Sequence, residues 1–230
     1  ELELWQKFVI GSVFGWKKKN GFRRFTTVYE QIARKNGKST KAAGIGLWGL
    51  LMDDEPGAEI YSAATKKDQA KITHSEAIRM VRKSEELRDE IKIYKDNLNV
   101  EETASKFEPL GANEDTMDGL NVHMGLVDEL HAHPTRAVWE VLGSAVGARR
   151  QPLMYAITTA GFNTNGICYE LYEFSRKVLE GVTTDDSHFA YVAELDAEDR
   201  WDDPNVWIKA NPNLGVSVYR EQLERDAAKA

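Results

Sequence analysis

Short β-rich runs alternate with helical stretches along this chain, an order that commits it to a mostly parallel sheet covered by helices on both faces. The run Phe25–Ile32 (FTTVYEQI) passes through the turn ARKNG into a small-residue helix predicted from Lys38 to about Met52. A second run, Glu59–Ala63, leads through Ala64 and Thr65 into the helical text KKDQAKITHSEAIRMVRKS. Between Glu90 and Asn113, the runs EIKIYKD and SKFEPLGA flank a polar turn and read as an antiparallel addition at a sheet edge. The short apolar run Val122–Val127 then ends in Asp128 and Glu129, as a buried central strand would. A helix from Arg136 to Arg149, a strand over PLMYAITTAG and a helix from Gly166 to Glu180 complete the pattern. From Phe189 onward the text changes character: FAYVAEL could form one more strand, but DAEDRWDDPNVWIKANPNLG is turn-rich, so residues 1–188 read as the main domain and 189–230 as a small C-terminal linker subdomain. The fold class is α/β.

Within that frame the sharpest chemical signal is Gly37-Lys38-Ser39 at a strand-to-helix junction. Backbone N–H groups at a helix N-terminus cradle phosphates, a lysine reaches the terminal phosphate, and a hydroxyl holds Mg²⁺. The run Arg34, Lys35, Asn36, Gly37, Lys38, Ser39 and Thr40 is therefore a candidate nucleotide-binding loop. It is a P-loop in its second half only, since Ile32 stands where the first glycine would fall. About ninety residues later come the two carboxylates, each part at a strand's C-terminal end, where open α/β sheets place their ligands. Asp128 can hold the metal together with Ser39, and Glu129 can polarise an attacking water. Together these parts predict a three-layer P-loop NTPase of the ASCE/RecA-like type that hydrolyses ATP with Mg²⁺.

Three further features attach to that reading. The polar end Thr158-Thr159-Ala160-Gly161 could sense the γ-phosphate and relay its loss to a moving segment. Trp5-Gln6 offers a ring and an amide able to read adenine, with Gln6 the stronger candidate. His131 and His133 follow the carboxylates but have no Cys or His partners at zinc spacing.

The bulk numbers exclude several classes. Hydrophobic residues at 42% and charged residues at 29% describe a globular protein, and the lone Cys168 leaves no disulfide framework. No stretch approaches the roughly 18 apolar residues of a membrane span, so no membrane partner is expected and the chain reads as soluble and intracellular. A net charge of −7 argues against a domain that coats nucleic acid by counterion release alone. Lys17, Lys18, Lys19, Arg23 and Arg24 form the densest basic cluster, which a solvated loop explains equally well. A start at Glu1 and an end in the charged run YREQLERDAAKA lead us to expect a piece of a longer protein.

Taken in order, WQ, ARKNGKST, SAAT with KKDQA, DGLNVHMGLVDELHAH, AITTAG and, further on, ANPNLG resemble the large terminase of tailed bacteriophages or prophages. The resemblance spans about Leu4 to Gly161, and a divergent P-loop with a basic residue ahead of the glycine, here Arg34, is common in that family. It implies that Arg34 and Lys38 join Glu129 in catalysis, that Ser39 and Asp128 serve the metal, and that Thr158, Thr159 and Gly161 form a coupling motif. It implies double-stranded DNA as cargo and a ring of identical subunits in the cytoplasm of an infected or lysogenic bacterium. A portal protein and a small terminase subunit are the implied partners. Arg136, Arg149 and Arg150 are the candidates for an arginine acting on a neighbouring subunit's site. The family's nuclease domain would need more residues than the segment after Phe189 supplies, so DNA cutting is expected elsewhere. Two other readings stay open. Asp128-Glu129-Leu130-His131 also fits the D-E-x-H text of superfamily 2 helicases, and a nucleotide-binding assembly module would need no hydrolysis.

Overall fold

A computed structural model describes residues 1–112 and 119–229; Asn113, the end of the predicted middle region, and Asp118 of the DGLNVHMG text lie outside them. The elements run α1 (Leu4–Gly15), β1 (Thr27–Gln31), α2 (Lys38–Leu51), β2 (Glu59–Ala64), α3 (Lys67–Lys83), α4 (Glu85–Glu90), β3 (Lys92–Ile93), β4 (Leu98–Val100), β5 (Ser105–Gly111) and β6 (Val122–Asp128). A 3₁₀ turn (Leu130–Ala132), α5 (Ala137–Ser144), β7 (Leu153–Thr158), α6 (Ile167–Leu179), β8 (His188–Val192), α7 (Trp207–Ala210) and α8 (Arg220–Ala227) follow. The strands form one eight-stranded sheet in the order β3-β4-β5-β2-β6-β7-β1-β8. From β5 to β8 every neighbouring pair is parallel.

Strand alternation divides the core into two apolar layers. Val28, Ile60, Leu126 and Tyr155 point to the face covered by α1, α2 and α3. Their neighbours Tyr29, Tyr61, Val127 and Ala156 point to the face covered by α5 and α6. Both faces of the central strands are thus buried, which is why these runs read as nearly continuous apolar text. The three-layer α/β arrangement and the mostly parallel sheet are as expected.

Two expectations are revised. SKFEPLGA is not an edge addition: β5 pairs parallel with β2 under α3, and the antiparallel edge is made by β4 and β3. Burial on alternating and then consecutive positions of β5 reflects cover on two sides. The helix expected to reach Arg149 stops at Ser144: Ala145 O, which a continuing helix would offer to Arg149 N, accepts Val122 N at 3.0 Å, and Arg149 N donates to Val146 O. The strand read at FAYVAEL is present as β8, which pairs with β1 and extends the main sheet through Val192.

The order of three strands positions the site. β7 lies between β1 and β6, so Thr158 at its end stands between the loop after β1 and the carboxylates after β6. Ile32 N donates to Thr158 O at 3.0 Å, carrying the ladder one residue past β1.

Candidate active site

The loop Ile32–Gly37 joins β1 to α2, and Gly37 caps the helix with φ of 78°. A β-carbon there would meet only ordinary contacts, 3.6 Å from Gln6 Nε2 and 3.7 Å from Asn213 Nδ2. The left-handed backbone rather than crowding therefore calls for glycine. Lys35 is also left-handed, at φ 66°, with no glycine to relieve it. A cavity of about 320 Å³ opens over this turn, lined by Arg34, Lys35, Gly37–Thr40 and Glu129. Six of the seven predicted loop residues thus share one cavity with the predicted catalytic carboxylate. Asn36 does not: it is fully buried, and its amide donates to Ala33 O, Arg34 O and Asn211 Oδ1.

Lys38 is buried, and its ammonium donates to Ile32 O at 3.1 Å and Ala33 O at 3.2 Å. Burial lowers its pKa, while the charges of Glu129 and Asp128 pull it back up. Asp128 Oδ2 lies 3.5 Å from both Ser39 Oγ and Thr73 Oγ1, and its Oδ1 accepts Glu129 N at 2.9 Å. Burial, followed by the neighbouring Glu129 charge, pushes the Asp128 carboxyl up. Glu129 sits in left-handed backbone at φ 49°. Its Oε2 is 3.1 Å from His131 Nδ1 but outside hydrogen-bond geometry, so this buried oxygen has no hydrogen-bond partner. A polar atom left so costs free energy unless a ligand satisfies it.

The strand-end threonines connect to the carboxylate loop through His131. Thr158 Oγ1 accepts His131 N at 3.1 Å and donates to Thr159 O at 2.8 Å. Thr159 Oγ1 lies 3.3 Å from His131 Nδ1. A β-carbon at Gly161 would stand 2.8 Å from His131 Cβ, so the two loops pack too closely for a side chain there. Burial lowers the pKa of His131 and of His133. His133 Nε2 is held 3.3 Å from Asp128 O. Among the described residues no group of three or more His, Cys, Asp or Glu gathers around a metal position. The oxygen donors Ser39 and Asp128, 3.5 Å apart and only loosely bonded to each other, nevertheless fit Mg²⁺, which takes few protein ligands and completes its shell with water and phosphate.

Gln6 is buried behind the loop; its Oε1 accepts Glu3 N, leaving the amide nitrogen facing Gly37. Trp5 is scaffold: its ring stacks on Tyr191 at 5.7 Å and its Nε1 donates to Asn213 Oδ1 at 2.6 Å. Arg136 is exposed and pairs with Glu170 and Glu140. Arg149 grips Glu55 and the carbonyls of Pro56, Gly57 and Asn121, ahead of β2 and β6 and so at the sheet end opposite the loop. Arg150 stands at that same end, over the Phe22 ring. The basic cluster is not a free patch, since Arg23 is buried against Asp53 and Arg24 pairs with Asp186.

Sequence reading missed four groups: Thr73, the buried Glu30 held by both Lys41 and Tyr155, and the pair Asn211 and Asn213. Lys41 recurs three residues after Lys38 on a helix, a spacing that places both on one face. Asparagines in turn-rich text carry no such signal.

The family model described as "Terminase large subunit, ATPase domain" matches residues 4–177. The chain belongs to the terminase large subunit family. A second model of that family, its endonuclease domain, matches residues 182–230, which include the stretch 189–230 that sequence alone assigns to a linker. Protein YmfN of Escherichia coli is 48% identical over 106 residues, 46% of this chain and 23% of that protein. The large terminase subunit of enterobacteria phage HK97 is 28% identical over 212 residues, 86% of this chain and 40% of that protein. The crystal structure of the HK97 large terminase matches all of this terminase chain and 47% of its own, with a TM-score of 0.86 at 25% identity. A thermophilic bacteriophage large terminase determined with ADP shares the fold, with a TM-score of 0.57 at 12% identity over 80% of this chain and 44% of that one. The chain thus spans less than half the length of each of these relatives.

Proposed function

We propose that this terminase domain is an Mg²⁺-dependent ATPase motor that drives double-stranded DNA into a procapsid in the bacterial cytoplasm. The observation that carries the proposal is the partnerless buried oxygen of Glu129 at the cavity where Lys38, Ser39 and the α2 N-terminus meet. Phosphates bind at the Gly37–Thr40 backbone, where the helix dipole and Lys38 favour negative charge. Lys38 leaves the carbonyls of Ile32 and Ala33 for the terminal phosphates, and Arg34 at the loop's lip adds a second positive charge. Ser39 and Asp128 would hold Mg²⁺, which neutralises charge on the phosphate oxygens when bound.

Glu129 orients a water and takes its proton as the water oxygen bonds to the γ-phosphorus and the bond to the β–γ bridging oxygen breaks. ADP and inorganic phosphate leave. Thr158, tied to His131 two residues after Glu129, transmits loss of the γ-phosphate to the loop around Gly161. Gln6 contacts the adenine through its free amide nitrogen. The stretch 182–230 serves the motor here, since β8 completes the sheet beside β1. DNA cleavage is assigned outside this chain. An arginine of a neighbouring copy completes each site in a ring, with Arg136 the exposed candidate nearest in sequence to the carboxylates. A portal protein and a small terminase subunit are the remaining partners.

Steady-state ATP hydrolysis across a wide protein-concentration range, with and without duplex DNA, tests the proposal beside Glu129→Gln. Turnover per subunit that climbs with concentration, responds to duplex and vanishes in the variant is the expected result. Equal turnover in both proteins refutes it, and concentration-independent activity stimulated by single strands identifies a helicase instead.

A further inference from the structure

The loop Ile32–Gly37 lacks the first glycine of a P-loop, carries the strained Lys35 and yet holds the shape of a phosphate cradle. Its own side chains explain only part of this. Asn36 supplies part of the answer from inside, since its fully buried amide donates to the carbonyls of Ala33 and Arg34. The rest comes from residues about 180 positions away in sequence. Asn213 N donates to Asn36 Oδ1 at 2.9 Å, Asn213 Nδ2 to Asn36 O at 3.3 Å, and Ser217 Oγ to Lys35 O at 2.6 Å. Asn211 Oδ1 accepts the Asn36 amide at 3.2 Å. Both asparagines are buried.

The segment is itself rigid. Pro212 stands between the asparagines, and Asn213 O accepts the amides of Val216, Ser217 and Val218 to close a tight turn around Gly215 at φ 87°. Trp5 Nε1 fixes Asn213 from the other side, and Asn213 Nδ2 faces Gly37 beside Gln6. The Asn213 carboxamide and the Ser217 hydroxyl thus donate to the backbone carbonyls of Asn36 and Lys35, and Asn211 holds the Asn36 side chain, contacts that a glycine-rich loop would leave to solvent.

We infer that Asn211, Asn213 and Ser217 are positioning residues of the nucleotide site, an external brace that sets the P-loop's phosphate-binding shape in place of the missing glycine. The inference rests on the reading of this loop as the ATP site. Binding at the loop and the placement of the chain beyond Ser217 are then linked, because the same hydrogen bonds define both.

Asn213→Ala and Ser217→Ala in the full chain test the brace, with Lys38→Ala as control. Losing buried hydrogen bonds costs about 1 to 3 kcal/mol, so Asn213→Ala weakens binding of a fluorescent ATP analogue about tenfold. Ser217→Ala, at an exposed position, weakens it about threefold. Both raise KM more than they lower kcat, and both speed hydrogen exchange at the amides of residues 33–39. A merely structural role would lower the melting temperature while leaving the affinity and loop exchange of the folded protein as in the wild type. That result, with Lys38→Ala still unable to bind, overturns the brace. If Asn213→Ala does not fold, Ser217→Ala alone decides. Wild-type protein that binds no analogue sinks the nucleotide reading instead, and loop exchange without nucleotide then still decides whether the brace exists.

Discussion

Asp53 and Asp128 stand at opposite ends of the same sheet, each 6% exposed, and their carboxyl groups are nevertheless shifted in opposite directions. Burial alone would raise both. Around Asp53, His123 Nε2 and Arg23 lie at 2.6 Å, Gln151 adds a third donor, and the carboxyl is held below its usual range. Around Asp128 the nearest hydroxyls are 3.5 Å away, Glu129 adds a like charge, and burial prevails. A paired buried charge is architecture, whereas an under-partnered one at the C-terminal edge of a parallel sheet is held ready for a ligand.

The contrast breaks most visibly through Glu129→Gln. Removing the group that takes the water's proton should lower kcat by about 10³-fold, roughly 4 kcal/mol of barrier, with ATP affinity kept. Single-turnover hydrolysis beside equilibrium binding separates the two, and a fall in affinity equal to the fall in rate would assign Glu129 to binding. Asp53→Asn should do the reverse. It strands the Arg23 guanidinium in the core and costs about 3 kcal/mol of folding stability in a urea titration. ATP affinity below the midpoint should not change.

Arg149→Ala comes next. Its bonds to three carbonyls and Glu55 make it a clasp between the loops ahead of β2 and β6, worth about 2 kcal/mol. Stability should fall with kcat unchanged. Mixing experiments in which this variant poisons wild-type rings without any loss of stability would restore Arg149 as the arginine acting between subunits.

The two ends of the sheet also differ in how far the sequence exposes them. Val122–Val127 closing on Asp128-Glu129, and a strand closing on Thr158-Thr159, are legible because an apolar run on a buried strand must stop where polar groups are needed. The β1–α2 junction is legible because Gly37 supplies a backbone that few other residues adopt. Arg23, Asp53, His123 and Gln151 come from four separate segments, and nothing local marks any of them as buried. Asn211 and Asn213 are hidden for the same reason, since turn-rich text reads alike whether the turn faces solvent or the P-loop. FAYVAEL reads as a strand, but its half-buried pattern, that of an edge, does not say that it joins the main sheet beside β1. Arg149 reads as a surface charge because sequence does not say which side chains carbonyls will claim.

The smallest effect is the most direct test of the comparison, and it lies in the pH dependence of stability without nucleotide. A carboxyl depressed in the folded protein contributes stability above its unfolded pKa of about 3.9, lost as pH falls through the folded value. Asp53 is that case, so the wild-type melting temperature should drop below pH 4 and Asp53→Asn should flatten that limb. A carboxyl raised in the folded protein works in the other sense: its contribution is fully present below about pH 3.9 and disappears as pH rises through the folded value. Asp128 is that case, and at neutral pH its charge burdens the fold. Asp128→Asn should therefore melt with the wild type near pH 4 and slightly above it at pH 7, although it removes a metal ligand of the proposed mechanism. A variant that melts below the wild type at pH 7 would mean that Ser39 and Thr73 already satisfy Asp128 as fully as Arg23 and His123 satisfy Asp53, and that the two ends of the sheet are built alike.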